Sequence, residues 1–166
     1  AYEIMPSLVG SEMCIRDRIK KEELFTLPVD ILVPGARPYV INKDNVDKIQ
    51  ARLISPGANI PVTEEADEIL LKRGVVVLPD FIANSGGVIA ATLDRMSASE
   101  EQAFKLVEEK ISSSIKKVLS EALDKKVSPT ELAKEMAMER VKEALEKRQQ
   151  LQAEDLERIV RKKFEV

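Results

Sequence analysis

Histidine is missing from this chain altogether, and cysteine occurs once, at Cys14. Without histidine there can be no Ser–His or Cys–His nucleophile pair and none of the usual zinc sites, so no metal centre is expected. One cysteine forms no internal disulfide, and so sparse a use of it fits a reducing cytoplasm. Long apolar runs are lacking too. Nothing approaches the roughly 18–20 residues of a membrane span, so no membrane partner is expected. Nor is there an excess of one charge: 26 Lys and Arg are interspersed with 29 Asp and Glu. A net charge of −3 in that pattern leaves no electrostatic footprint for nucleic acid. What is present, 44% hydrophobic and 33% charged residues in a length of 166, suits one globular domain or a piece of a larger one.

The opening stretch, AYEIMPSLVGSEMCIRDR, has neither helical nor alternating apolar period. It also lacks the basic start and the apolar run of about 7–15 residues that make a signal peptide. Residues 8–17 coincide with one translated frame of a transposon-based sequencing adapter, and Ala1 to Glu3 with the primer preceding it. Residues 1–18 are therefore expected to be translated adapter rather than protein, and the chain proper to start at Ile19, in the middle of a longer sequence.

From Ile19 the punctuation improves. VDILV (29–33), ARLIS (51–55) and VVVL (75–78) are short, β-branched runs without strict alternation, as expected of strands buried on both faces of a parallel sheet. The second connector carries Thr63 as N-cap, acids in its first turn, apolar Ala66, Ile69 and Leu70, then Lys72, Arg73 and Gly74 to end a helix. The first connector holds a weaker, short helix around Asn45–Gln50. Both are long enough for the right-handed crossovers that parallel neighbours need. The expected fold class is thus α/β, half of a doubly wound (Rossmann-type) parallel sheet over residues 19–96.

Residues 97–166 read as an all-helical tail. Ser97 with Glu100, or Ser99 with Gln102, makes a capping box for a long helix. Its apolar stripe is Phe104, Val107, Ile111, Ile115, Val118 and Ala122. Ser128 caps a second helix with Pro129 at its first position, and Leu132, Met136, Ala137, Val141, Ala144 and Leu145 form its apolar face. QAEDLERIVRKKF reads as a separate last helix. These faces are expected to pack into a core; a partner-binding arm on a non-catalytic α/β interaction module is the alternative.

Candidate chemistry follows the strands: PGA (34–36), PGAN (56–59) and PDFIANSGGV (79–88). Ligands of open parallel sheets sit outside the carboxyl ends of the strands, where all three loops would lie. Small residues there allow close backbone approach, and Asn59 and Asn84 each offer a donor and an acceptor. Bland readings stand beside these. Pro-Gly can be a simple turn, Asn59 an Asx-turn residue, Asn84 the N-cap of the next helix and Asp80 a cap or ion-pair partner. Gly86 and Gly87 can serve only to pack helix on strand.

DILVPGA, SPGANIPVTEEADEILLKRGVVVLPD and FIANSGGV, in this order and spacing, resemble the C-terminal half of the glutamate/leucine/phenylalanine/valine dehydrogenases. The likeness is close over residues 24–95 and loose in the tail. It implies an enzyme that oxidatively deaminates an L-amino acid with NAD or NADP, and a parent chain that forms a homo-oligomer. Carried over, Gly35 and Ala36 line the ribose side of the cofactor. Asn59, with Gly57 and Ala58 beside it, lies near the nicotinamide ribose and ring, and Asn84 bonds the nicotinamide end. Ala91 stands in the substrate pocket where glutamate-specific members often carry serine, which argues against glutamate. Ala90 likewise replaces the asparagine of the leucine type. The family's catalytic lysine and aspartate and its glycine-rich pyrophosphate loop lie upstream, so no residue here is assigned as catalytic and the fragment alone is expected to be inactive.

Overall fold

The computed structural model describes residues 21–164, and the expectation for residues 1–18 falls outside them. A 3-10 turn at Lys21–Thr26 leads to strand β1 (Ile31–Leu32), followed by a second 3-10 turn at Val46–Lys48 and β2 (Leu53–Ile54). Helix α1 (Glu64–Lys72) and β3 (Val76–Val77) come next. Four helices complete the chain: α2 (Asp80–Ala83), α3 (Gly86–Arg95), α4 (Glu100–Lys125) and α5 (Pro129–Phe164).

The strands form one parallel sheet in the order β1-β2-β3, with Ile31 beside Leu53 and Leu53 beside Val76. This is the expected α/β half-sheet: each successive strand is added on the same side. Ile41, Val46, Ile49, Ile54, Ala66 and Leu70 are fully buried, and with Leu32, Val75 and Val77 they make one cluster beneath α1 and the second 3-10 turn. Helix α1 forms for the local reasons read from the sequence. The Thr63 hydroxyl accepts from the Ala66 amide at 3.3 Å, and three acids fill the first turn. Arg73 then does something the sequence does not announce. Its guanidinium donates to the carbonyls of Val46 and Ile49, clamping the 3-10 turn to the end of α1.

Of the two capping boxes weighed for α4, Ser99 with Gln102 forms. The tail otherwise departs from expectation in three ways. The helix begun at Pro129 runs unbroken for 36 residues, so QAEDLERIVRKKF is no separate element; no proline or glycine interrupts it. Phe104 leads its stripe but is 67% exposed, whereas Val118 and Ala122 further along are buried. On α5, Leu132 and Ala133 are buried while Val141, Ala144 and Leu145 are exposed. The reason is length. A helix of 36 residues spans about 54 Å, and over residues 129–150 only its first turns carry buried side chains.

Candidate functional site

The three parallel strands deliver residues 34–36, 56–59 and 79–84 to one edge of the sheet. The amides of Gly57 and Ala58 both donate to the Pro34 carbonyl at 3.0 Å, knitting the first two loops together. A Cβ on Gly57 would come within 3.4 Å of the Gly35 Cα, so the loops approach backbone to backbone. Gly35 itself faces open space and, with Ala36, Gly57 and Asn59, is exposed.

The third loop closes the rim. Asn84 Nδ2 donates to Asn59 Oδ1 at 2.7 Å, across 25 residues of chain. Each amide spends one polar atom on the other, which leaves the pair one acceptor and one donor for a ligand; exchanging O and N in both side chains gives the same count. Asn84 is not the N-cap of α3. It terminates α2, its amide bonded to the Asp80 carbonyl at 2.9 Å, and Ser85 stands at the start of α3. Nor does Gly86 pack helix on strand. A Cβ there would lie 3.2 Å from Val107 Cγ1, so it admits α4 against α3, while Gly87 faces open space.

Asp80 turns out to hold the rim in place. Its Oδ2 accepts from the Ile60 amide at 2.6 Å, fixing the end of the Asn59 loop to the start of the helix that Asn84 ends. An acid next to a strand-ending proline signals a cap, but nothing local says which amide it will reach. Ala91 is the sixth residue of α3, about one and a half turns along it, and is exposed. Thus the loops that carry Gly35, Ala36, Gly57, Ala58, Asn59 and Asn84 are joined along one ledge, by contacts in which Ala91 takes no part.

Beside the ledge is a cavity of 490 Å³ between α1 and the start of α5; Ile60 and Asp80 line it, whereas neither asparagine does. Asp67 also lines it, accepting a 2.5 Å hydrogen bond from Ser128 Oγ. Burial pushes the Asp67 carboxyl above its usual range, against the opposing pull of the Ser128 hydrogen bond. Among the described residues no cluster of acids and cysteine could hold a metal ion, and no helix is long and apolar enough to cross a membrane.

The model of the glutamate/leucine/phenylalanine/valine dehydrogenase family matches residues 7–149. The chain belongs to that family. As an amino-acid dehydrogenase family member, the chain is 42% identical to a glutamate dehydrogenase of Aeropyrum pernix, over 79% of its own length and 34% of the relative's. It is 45% identical to an NADP-specific glutamate dehydrogenase of Saccharolobus shibatae, over 54% and 23%. The chain therefore spans about a third or less of these relatives. The crystal structure of L-tryptophan dehydrogenase from Nostoc punctiforme superposes with a TM-score of 0.69 at 27% identity, covering 77% of this chain and 38% of that one. A hetero-hexameric glutamate dehydrogenase from Thermus thermophilus, in a leucine-bound form, gives 0.67 at 28%, covering 74% and 31%.

Proposed function

We propose that this chain is the C-terminal part of an NAD- or NADP-dependent L-amino-acid dehydrogenase that yields the 2-oxo acid and ammonia. The observation that carries the reading is the Asn59–Asn84 pair, set on a glycine-lined rim at the carboxyl ends of three parallel strands. A nicotinamide carboxamide needs one donor and one acceptor at its end, which is what the pair has left. The open backbone at Gly35 leaves room for the adjoining ribose.

When bound, the cofactor supplies the hydride acceptor. What this chain contributes is position. Asn84 and Asn59 hold the ring end, and Asp80 keeps the Asn59 loop from drifting. Holding reactants at near-attack distance accounts for several kcal/mol of a barrier, about 7–11 kcal/mol at most. Proton transfer and pyrophosphate binding belong to residues upstream in the parent, so this chain alone is inactive. Ala91, without a hydroxyl, favours an amino acid other than glutamate. The parent acts in the cytoplasm on small molecules and assembles from identical chains.

The test is Asn84→Ala in the full-length enzyme. Loss of its hydrogen bond should lower kcat/KM for both cofactor and amino acid at least about tenfold, roughly 1.4 kcal/mol of transition-state stabilisation. Unchanged values for both substrates would take Asn84 out of the site.

A further inference from the structure

The cavity between α1 and α5 is not needed for anything assigned above. Its 490 Å³ lies in the range of small-molecule pockets, about 300–1,000 Å³. One wall is apolar, built from Tyr39, Pro56, Ile60, Val62, Leu71 and Leu78. Tyr39 and Ile60 face each other across a 2.8 Å backbone hydrogen bond, and both side chains are more than half exposed.

The polar lining is one-sided. Six carboxylates from α1, α2 and α5 border the cavity, against the single ammonium of Lys134. That ammonium is already paired with Glu64 at 3.2 Å. Asp67 is bonded to Ser128 and Asp80 to the Ile60 amide. Glu65, Glu68 and Glu131 have no cationic partner among the described residues. The lining of this apolar-walled cleft thus carries an excess of acids, although the chain as a whole has a net charge of only −3.

We propose that this cleft binds a small organic cation with an apolar body, a hydrophobic ammonium. The apolar wall takes up the body, the unpaired carboxylates attract the charge, and the ring of Tyr39 adds a cation–π contact. An anion of the same shape is repelled, and a neutral one forgoes the Coulomb attraction.

The test titrates the 15N-labelled 166-residue chain with benzyltrimethylammonium, benzyl alcohol and benzoate, following backbone amide shifts by NMR. The ammonium should give saturable shifts at Tyr39, Ile60, Val62 and Glu131, with a Kd in the millimolar range or tighter. The alcohol should bind at least about fivefold more weakly, benzoate not measurably, and added salt should weaken the ammonium. Glu68→Gln with Glu131→Gln should weaken it by a similar factor, as should Tyr39→Ala. All three side chains are exposed, so the fold should survive. No saturation by about 50 mM, equal affinity for the alcohol, or indifference to the double carboxylate change would each overturn the proposal.

Discussion

The Asp67 carboxyl is held by opposing forces whose balance sets how this protein answers to pH. Burial raises its pKa most; the hydrogen bond from Ser128 lowers it; Glu131 and Glu68 raise it and Lys134 lowers it. The net direction is upward, so the folded chain holds this proton more tightly than the unfolded chain does. By linkage, the stability it contributes is fully present below the unfolded pKa and is lost as pH rises through the folded one. Above that point the ionised, largely buried carboxylate is a constant cost. Asp67→Asn removes the ionisation but keeps an oxygen to accept from Ser128. The variant should be at least as stable as wild type at neutral pH, and its thermal midpoint should fall less between acid and neutral pH. Parallel Tm profiles for the two proteins would show that Asp67 does not titrate in the folded range. Tyr39 and Ile60 pose a different residue-scale problem, with left-handed φ of 56° and 51°. A β-branched residue there is a steric outlier, and the Tyr39–Ile60 backbone bond and the Asp80 carboxylate hold it.

Among the elements, the junction of α1 with α5 turns on one hydroxyl. Ser128 Oγ accepts from the amides of Thr130 and Glu131 at 3.2 and 3.4 Å and donates to Asp67, which uses its one proton and both lone pairs. Ser128→Ala removes an N-cap, about 1 kcal/mol, and also the donor from a mostly buried acceptor, about 1–3 kcal/mol. Urea unfolding should therefore show a loss of about 2–4 kcal/mol; less than about 0.5 kcal/mol would remove Ser128 as the anchor of α5. That Ser128 begins a helix is legible in VSPTEL, as are Thr63 at α1 and the Ser99–Gln102 box, because caps depend on residues within one turn. The three strands and their shared edge are legible for a similar reason: β-branched runs ended by Pro-Gly or Pro-Asp leave few alternatives. Whatever depends on contacts far along the chain is not legible. Nothing near Arg73 points to the carbonyls of Val46 and Ile49. Nothing near Asn84 says that its helix ends there rather than begins. The apolar face of α5 reads as core as far as Leu145, although from Met138 to Leu145 its residues are exposed.

At the scale of the whole molecule, the sheet has a covered side and an open edge. Along β1 the burial alternates, with Ile31 57% exposed, Leu32 8% and Val33 62%. Among the described residues no strand pairs with the outer edge of β1, so the alternate backbone groups that β2 does not use face outward. A doubly wound sheet continues from such a strand into its other half, and the order β1-β2-β3 grows away from it on one side only. Apolar side chains beside an unpaired edge form a template for a strand of another chain. The isolated 166-residue chain should therefore self-associate, with apparent mass rising with concentration in light scattering. Lysine substituted at Ile31 or Val33 puts charge on that edge without disturbing the core, since both side chains already face out. Either change should lower the association, while circular dichroism and thermal midpoint stay as in wild type. If association persists undiminished in both variants, another surface drives it. The exposed Met138, Val141 and Leu145 of α5 are the next to substitute, because they lie three and four residues apart and so form one apolar stripe on the helix.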